Sequence, residues 1–227
     1  NKDIFIIKAN VLKSIRDFFG KKGFLEVDTP NLVLSPDPSP FNEVFKIEGK
    51  NLYLTPSPEF SIKKLLSLGL KNVFQITKAY RDWQEDDPLH LNEFTILEWY
   101  RDNADYTDLM KDCENLVNFI YTKCHREGLC PVAIPMELQY FGRDCFTSES
   151  EVRNDNYFNY QGQEINLTPP WTRISCKEAF EKYAKVNLDE FLDMENTRKI
   201  CELHGYQVSI KNTWEELYHQ IFLNEVE

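Results

Sequence analysis

Two stretches, Asn72-Val-Phe-Gln-Ile-Thr-Lys-Ala-Tyr-Arg81 and Glu93-Phe-Thr-Ile-Leu-Glu-Trp-Tyr100, decide how this chain folds. Both are rich in β-branched and aromatic residues, and both have the length of a strand. Residues 82–92 between them hold four acids (Asp82, Glu85, Asp86, Asp87) and Pro88, the composition of a polar loop. Period-two alternation assigns Phe94, Ile96, Glu98 and Tyr100 to one face of the second strand and Thr95, Leu97 and Trp99 to the other. An aromatic, an aliphatic, a carboxylate and a phenol in a row can stack a base and bind an ammonium group. The same pattern fits an edge strand with one solvated face. On the residues alone that plainer assignment is preferred, because acids are seldom buried without partners.

Upstream, Ile4, Ile7, Val11, Ile15, Phe18 and Phe19 recur at helical spacing, and Gly23 after Lys21-Lys22 marks the helix stop. Phe24 to Asp28 alternate as a short strand ended by Thr29-Pro30. Residues 31–43 form a loop with Pro36, Pro38 and Pro40, and residues 44–48 and 52–55 a hairpin around Gly49-Lys50-Asn51. Ser57-Pro58 opens a short helix that Gly69 closes. Downstream, a long helix runs from about Tyr106 to Arg126. Residues 131–172 are irregular, with a hairpin at residues 160–163. Capping boxes at Ser175/Glu178 and Thr213/Glu216 open helices near 176–184 and 213–224, with another near 196–204. Early strands, late helices and a long strand pair predict an α+β fold built on a mainly antiparallel sheet.

Composition narrows the function classes. The 227 residues suit one large domain or two small ones, and 42% hydrophobic residues suffice for a packed core. Apolar runs such as Ile4–Ile7 are far too short for a membrane span, and no secretory signal opens the chain. A cytoplasmic location is expected. The net charge of −11 argues against non-specific nucleic-acid binding. Cys113, Cys124, Cys130, Cys145, Cys176 and Cys201 show neither disulfide nor metal spacing, so they are read as mostly buried thiols with no identifiable metal site. Lys63-Lys64, His125, His204 and His219 are read as helix-surface groups, and Trp171 as a packing anchor.

The Arg81 to Tyr100 stretch resembles motif 2 of class II aminoacyl-tRNA synthetases, an arginine, a loop and an E-F-T-x-x-E-x-Y strand. Phe18-Phe19…Gly23-Phe24-Leu-Glu-Val-Asp-Thr-Pro30 is similar to motif 1. Thr55-Pro-Ser-Pro-Glu59 resembles the amino-acid loop of the lysyl-tRNA synthetase group, and Asn166 to Ser175 resembles a segment of lysyl-type catalytic domains. Leu97-Glu-Trp-Tyr-Arg101 is most similar to the ending seen in the lysine ligase of elongation factor P, a truncated paralogue. The resemblance covers residues 10–125 and 160–185 in the family's order.

What the resemblance implies is an ATP-dependent ligase forming an aminoacyl-adenylate, with ATP and Mg²⁺ as cofactors. Arg81 would contact the α-phosphate and Phe94 would stack on adenine. Asp82, Glu85 and His90 would complete the ATP site. Ser57, Glu59, Glu98 and Tyr100 would hold a lysine-type amino acid, and Pro30 would lie at a homodimer interface. The implied acceptor is a lysine of elongation factor P, with tRNA as the alternative and a non-catalytic binding or regulatory paralogue as a third reading. Departures are visible. Trp83 stands where the family has an ATP-contacting glutamate, Leu91-Asn92-Glu93-Phe94 replaces Asn-Pro-Glu-Phe, and no glycine-rich, arginine-bearing motif 3 occurs. The expectation is therefore one catalytic domain over 1–227, incomplete on its C-terminal side, with an irregular insertion at 131–172 and a helical segment at 173–227. The family's anticodon-binding domain, which precedes motif 1, is expected to be lacking, in a chain trimmed at one or both ends.

Overall fold

The computed structural model describes residues 2–38, 43–82, 91–126, 157–160 and 163–226. The chain divides into two compact units, Asn1–Pro169 and Pro170–Glu227, each with its own core.

The first unit opens on α1 (Lys2–Lys21), whose buried side is Ser14, Ile15, Phe18 and Phe19. It ends where the sequence predicts. Gly23 takes φ +76°, and the Phe24 N–H donates back to the Phe19 carbonyl at 3.0 Å, a closure only glycine reaches without strain. Strand β1 is just Leu25–Glu26. It is followed by β2 (Leu32–Val33), β3 (Tyr53–Leu54), α2 (Glu59–Ser67), β4 (Val73–Tyr80), β5 (Glu93–Tyr100) and α3 (Tyr106–Arg126). Asp105 caps α3 by accepting from the Thr107 and Asp108 N–H groups at 2.8 and 3.3 Å.

The β4–β5 pair is the spine of this unit. The two strands run antiparallel from Val73↔Tyr100 to Tyr80↔Glu93, and β1 adds to β4 in parallel, Leu25 opposite Val73. The sheet is thus mostly antiparallel and flanked by helices, in the class expected. The 44–55 hairpin is looser than its pattern implies. Lys46↔Tyr53 is an isolated bridge across it, flanked by the Ile47 and Leu54 N–H groups on the Leu52 and Phe45 carbonyls at 2.9 and 3.0 Å, while the other edge of β3 pairs with β2, Leu32 opposite Leu54.

The register gives the two sheet faces different neighbours. Phe74, Ile76, Leu97 and Trp99 pack with Val11, Ile15, Phe18 and Phe19 of α1 and Leu116, Phe119 and Ile120 of α3. Phe19, fully buried, touches the rings of Phe18, Phe24, Phe74 and Trp99 with centroids 4.8–5.5 Å apart. On the opposite face the backbone meets polar loops. The Thr29 hydroxyl donates to the buried Gln75 at 2.9 Å, and the Thr77 hydroxyl donates to Asn31 at 3.0 Å. The hairpin expected near residue 160 is present as β6 (Tyr157–Tyr160) and β7 (Gln163–Asn166), Tyr160 opposite Gln163.

The second unit is helical. It comprises α4 (Cys176–Ala179) widening into a π turn over Phe180–Ala184, a 3₁₀ turn at Glu190–Leu192, α5 (Met194–Leu203) and α6 (Trp214–Ile221), which ends in π turns over Phe222–Val226. Both predicted capping boxes form, at Ser175/Glu178 and Thr213/Glu216. Phe180, Ala184, Val186, Phe191, Cys201, Leu217 and Ile221 make its core. Among the described residues, Cys113, Cys124, Cys176 and Cys201 form no disulfide. Cys176 is exposed, and burial pushes the Cys201 thiol up to about 11. Among the described residues no helix is long and apolar enough to cross a membrane.

Candidate active site

The site grows from the polar face of β5. Glu98 and Tyr100, two residues apart, lie on the same side of the strand. The Tyr100 hydroxyl donates to Glu98 Oε1 at 2.6 Å, and the Ser57 hydroxyl donates to Glu98 Oε2 at 2.9 Å. Each carboxylate oxygen is thereby fixed, and the group stays acceptor-only toward anything entering beside it. The buried Thr55 hydroxyl donates to the Ser57 carbonyl at 2.5 Å, and the Tyr80 N–H donates to the Thr55 carbonyl at 3.0 Å, so Ser57 is tied to the end of β4.

Ser57 also accepts the Glu59 N–H at 3.1 Å, which holds the first turn of α2. The helix starts at Glu59, one residue later than the sequence implies, because Pro58 sits at φ −76°, ψ −2° as the capping residue. Glu59 pairs with Lys63 one turn on, and this contact raises the Lys63 ammonium pKa, Lys63 being a helix-surface group as expected.

Arg81 leaves β4 with its N–H on the Asn92 carbonyl at 3.0 Å and its Nε on the Pro56 carbonyl at 3.4 Å. Its guanidinium carbon lies 5.2 Å from the centroid of the Phe94 ring, a cation–π contact. Asp82 follows with its N–H on the Glu43 carbonyl at 2.9 Å. Glu85, His90 and Trp83 lie outside the described residues. Pro30 is exposed, directly after buried Thr29.

These residues surround an open pocket of about 610 Å³ lined by Asp37, Pro38, Ser57, Glu59, Phe60, Arg81, Ile96 and Glu98. Three carboxylates, one of them paired with Lys63, face one guanidinium, so the pocket keeps an acidic excess on the side of Glu59 and Glu98. Tyr100 feels this. Burial first, then its bond to Glu98 and the charges of Glu98, Glu59 and Asp37, push its phenol well above the ordinary value of 10.0. Ser57, Glu59, Arg81 and Glu98 thus come together around one cavity. Phe94 joins through Arg81 and Tyr100 through Glu98, while Asp82 is not among the lining residues.

Sequence reading missed Asp37, Phe60 and Ile96 as lining groups. Ile96 was already on the right face of β5. Phe60 follows the Pro-Ser-Pro-Glu motif directly, a signal at hand. Asp37 lies between Pro36 and Pro38 in an irregular loop, where no periodicity shows which way it points.

Comparison with known proteins identifies the family. The family described as "tRNA synthetases class II (D, K and N)" matches residues 1–219. Lysine–tRNA ligase of Clostridium perfringens is 29% identical over 206 residues, 88% of this chain and 35% of the relative. That of Pelotomaculum thermopropionicum is 29% identical over 231 residues, all of this chain and 40% of the relative. That of Moorella thermoacetica is 28% identical over 229 residues, all of this chain and 41% of the relative. The chain therefore spans well under half the length of these curated relatives. A profile match across nearly the whole chain shows that the chain belongs to the class II tRNA synthetases of the D, K and N group.

Proposed function

We propose that this chain supplies the amino-acid pocket and part of the ATP site of an enzyme that activates lysine or a β-lysine-like amino acid. The observation that carries it is Glu98, held by Ser57 and Tyr100 in a pocket whose other acids are Glu59 and Asp37. An acidic pocket with fixed acceptors suits a substrate bearing two ammonium groups. Arg81 stands at its opposite chemical pole, where the substrate carboxylate and the α-phosphate of ATP would meet.

In the reaction, a carboxylate oxygen of the amino acid attacks the α-phosphorus of ATP. The new O–P bond forms as the bond to the β,γ-diphosphate breaks, leaving aminoacyl-adenylate and pyrophosphate. Arg81 stabilises the charge developing on the α-phosphate oxygens, and Phe94 offers its ring to adenine. Asp82, Glu85 and His90 are assigned to the phosphate side of the site. Among the described residues no group of three or more His, Cys, Asp or Glu could hold a metal such as Mg²⁺.

The proposed acceptor is a lysine of elongation factor P. Support comes from the Leu97–Arg101 ending and the net charge of −11, which suits a protein acceptor better than tRNA. The tRNA reading has its own support in the name of the relatives, Lysine–tRNA ligase. A homodimer through α1 and the Pro30 segment completes the proposal. Calorimetric titration tests the pocket: lysine binds, and norleucine, which lacks the side-chain ammonium, does not. Equal affinity for the two would overturn the assignment. Transfer of radiolabelled lysine to elongation factor P or to tRNA then separates the acceptors.

A further inference from the structure

We propose that Asp112, remote from the pocket lining, is a positioning residue for the amino-acid pocket, acting through Arg101 on Tyr100. The inference rests on the pocket being the amino-acid site proposed above. Asp112 lies on α3 with its carboxylate 1% exposed. One oxygen takes Lys22 Nζ at 2.6 Å and the other takes Arg101 Nη1 at 3.0 Å. The two cations come from the segment after α1 and from the residue after β5. Three separate elements therefore converge on one buried carboxylate.

Arg101 directly follows Tyr100, the last residue of β5 in register, opposite Val73. Alternation sends the two side chains to opposite faces: Tyr100 to Glu98, and Arg101 to Asp112. Beyond them the strand is lost. The Asp102 N–H turns to the Asn72 side chain at 3.2 Å, and Asn103 takes φ +51°. The end of β5 is thus held from both sides, by the pocket on one face and by Asp112 on the other. A buried ion pair adds little net stability, since desolvation offsets most of the attraction, but its partners are confined to a narrow geometry. What Asp112 supplies is a fixed end to the strand that aims Tyr100 at Glu98.

The test uses Asp112→Asn, Arg101→Met and Lys22→Met, with lysine and ATP affinities from calorimetry. Fluorine NMR of fluorotyrosine-labelled protein adds the Tyr100 signal, assigned by its loss in Tyr100→Phe. Asp112→Asn and Arg101→Met should each weaken lysine binding about tenfold, as a small misplacement of a contacting group does. ATP affinity should stay within about twofold, and the Tyr100 resonance should move. The double variant should be no worse than either single one, because both cut the same link. Lys22→Met keeps the Arg101 pair and should change neither readout. A merely structural role would lower the fraction of protein that binds while leaving affinity and resonance unchanged, and that result overturns the proposal. If Asp112→Asn fails to fold, Arg101→Met decides by the same two readouts. If the unmodified protein binds no lysine, the functional reading fails, and the Tyr100 resonance still decides whether Asp112 positions the strand end.

Discussion

Ser57 uses a single hydroxyl twice, donating to Glu98 and accepting from the Glu59 N–H. It therefore orients the Glu98 carboxylate and holds the backbone turn that carries Glu59. Ser57→Ala should lower lysine affinity roughly tenfold, about 1.4 kcal/mol and near the low end for a hydrogen bond to a charged group. Calorimetry reads this directly. Arg81→Ala should cut ATP–pyrophosphate exchange by roughly 10²-fold or more, as loss of one charge-stabilising donor does, with an unchanged circular dichroism spectrum. Tyr100 carries a pH consequence. A phenol whose folded pKa is raised keeps its contribution fully below the ordinary value of 10.0 and loses it only above, as pH passes the higher folded value. The Tyr100 phenol should therefore stay protonated through that ordinary value, and the alkaline ultraviolet difference spectrum between the protein and Tyr100→Phe should show no tyrosinate step there. The two-residue spacing of Glu98 and Tyr100 makes them legible as neighbours from the strand period alone. Asp37 was not legible, because its approach to the pocket follows from loop packing between prolines rather than from any local pattern.

At the scale of elements, β4 and β5 were readable because strand length, composition and the acid-rich loop all agreed. β1 was readable as extended, yet only Leu25–Glu26 joins the sheet, since β1 pairs with β4 alone and the chain then leaves toward Thr29. The helix caps were the most exact signals. At Ser175 and Thr213 the capping glutamates, Glu178 and Glu216, are held below the ordinary 4.5, the first by the Ser175 N–H and hydroxyl, the second by the Asn212 amide and the Thr213 N–H. A depressed carboxyl pKa contributes stability that is present above the ordinary value and lost as pH falls through the folded one. The helical unit should accordingly lose stability below about pH 4.5, in proportion to these two groups. Thr213→Ala should cost about 1 kcal/mol in urea unfolding at neutral pH, and its deficit should shrink at pH values where Glu216 is protonated.

For the whole molecule, two cores share no residue. One is centred on Phe19 between the sheet, α1 and α3; the other gathers Phe180, Phe191 and Leu217 among the late helices. Phe191 is fully buried, and its carbonyl accepts the Trp214 indole N–H at 2.7 Å and the Thr197 hydroxyl at 2.6 Å. Phe191→Ala should destabilise the helical unit by about 3–5 kcal/mol. Hydrogen exchange by mass spectrometry should show this as faster exchange in peptides from 170–227. The sequence patterns foresaw these helices, but not that they close a core of their own, because the contacts joining Phe180, Phe191 and Leu217 are too far apart in sequence for periodicity to reveal. The family was legible from four motifs in order, and the chain's membership rests on a match to residues 1–219. The claim that reaches furthest is that this pocket activates a lysine-type amino acid. Lysine-dependent ATP–pyrophosphate exchange by the full-length protein tests it most directly. Exchange that requires lysine or β-lysine and disappears in Arg81→Ala is the predicted result; no exchange with either amino acid, or exchange that survives Arg81→Ala, would contradict it.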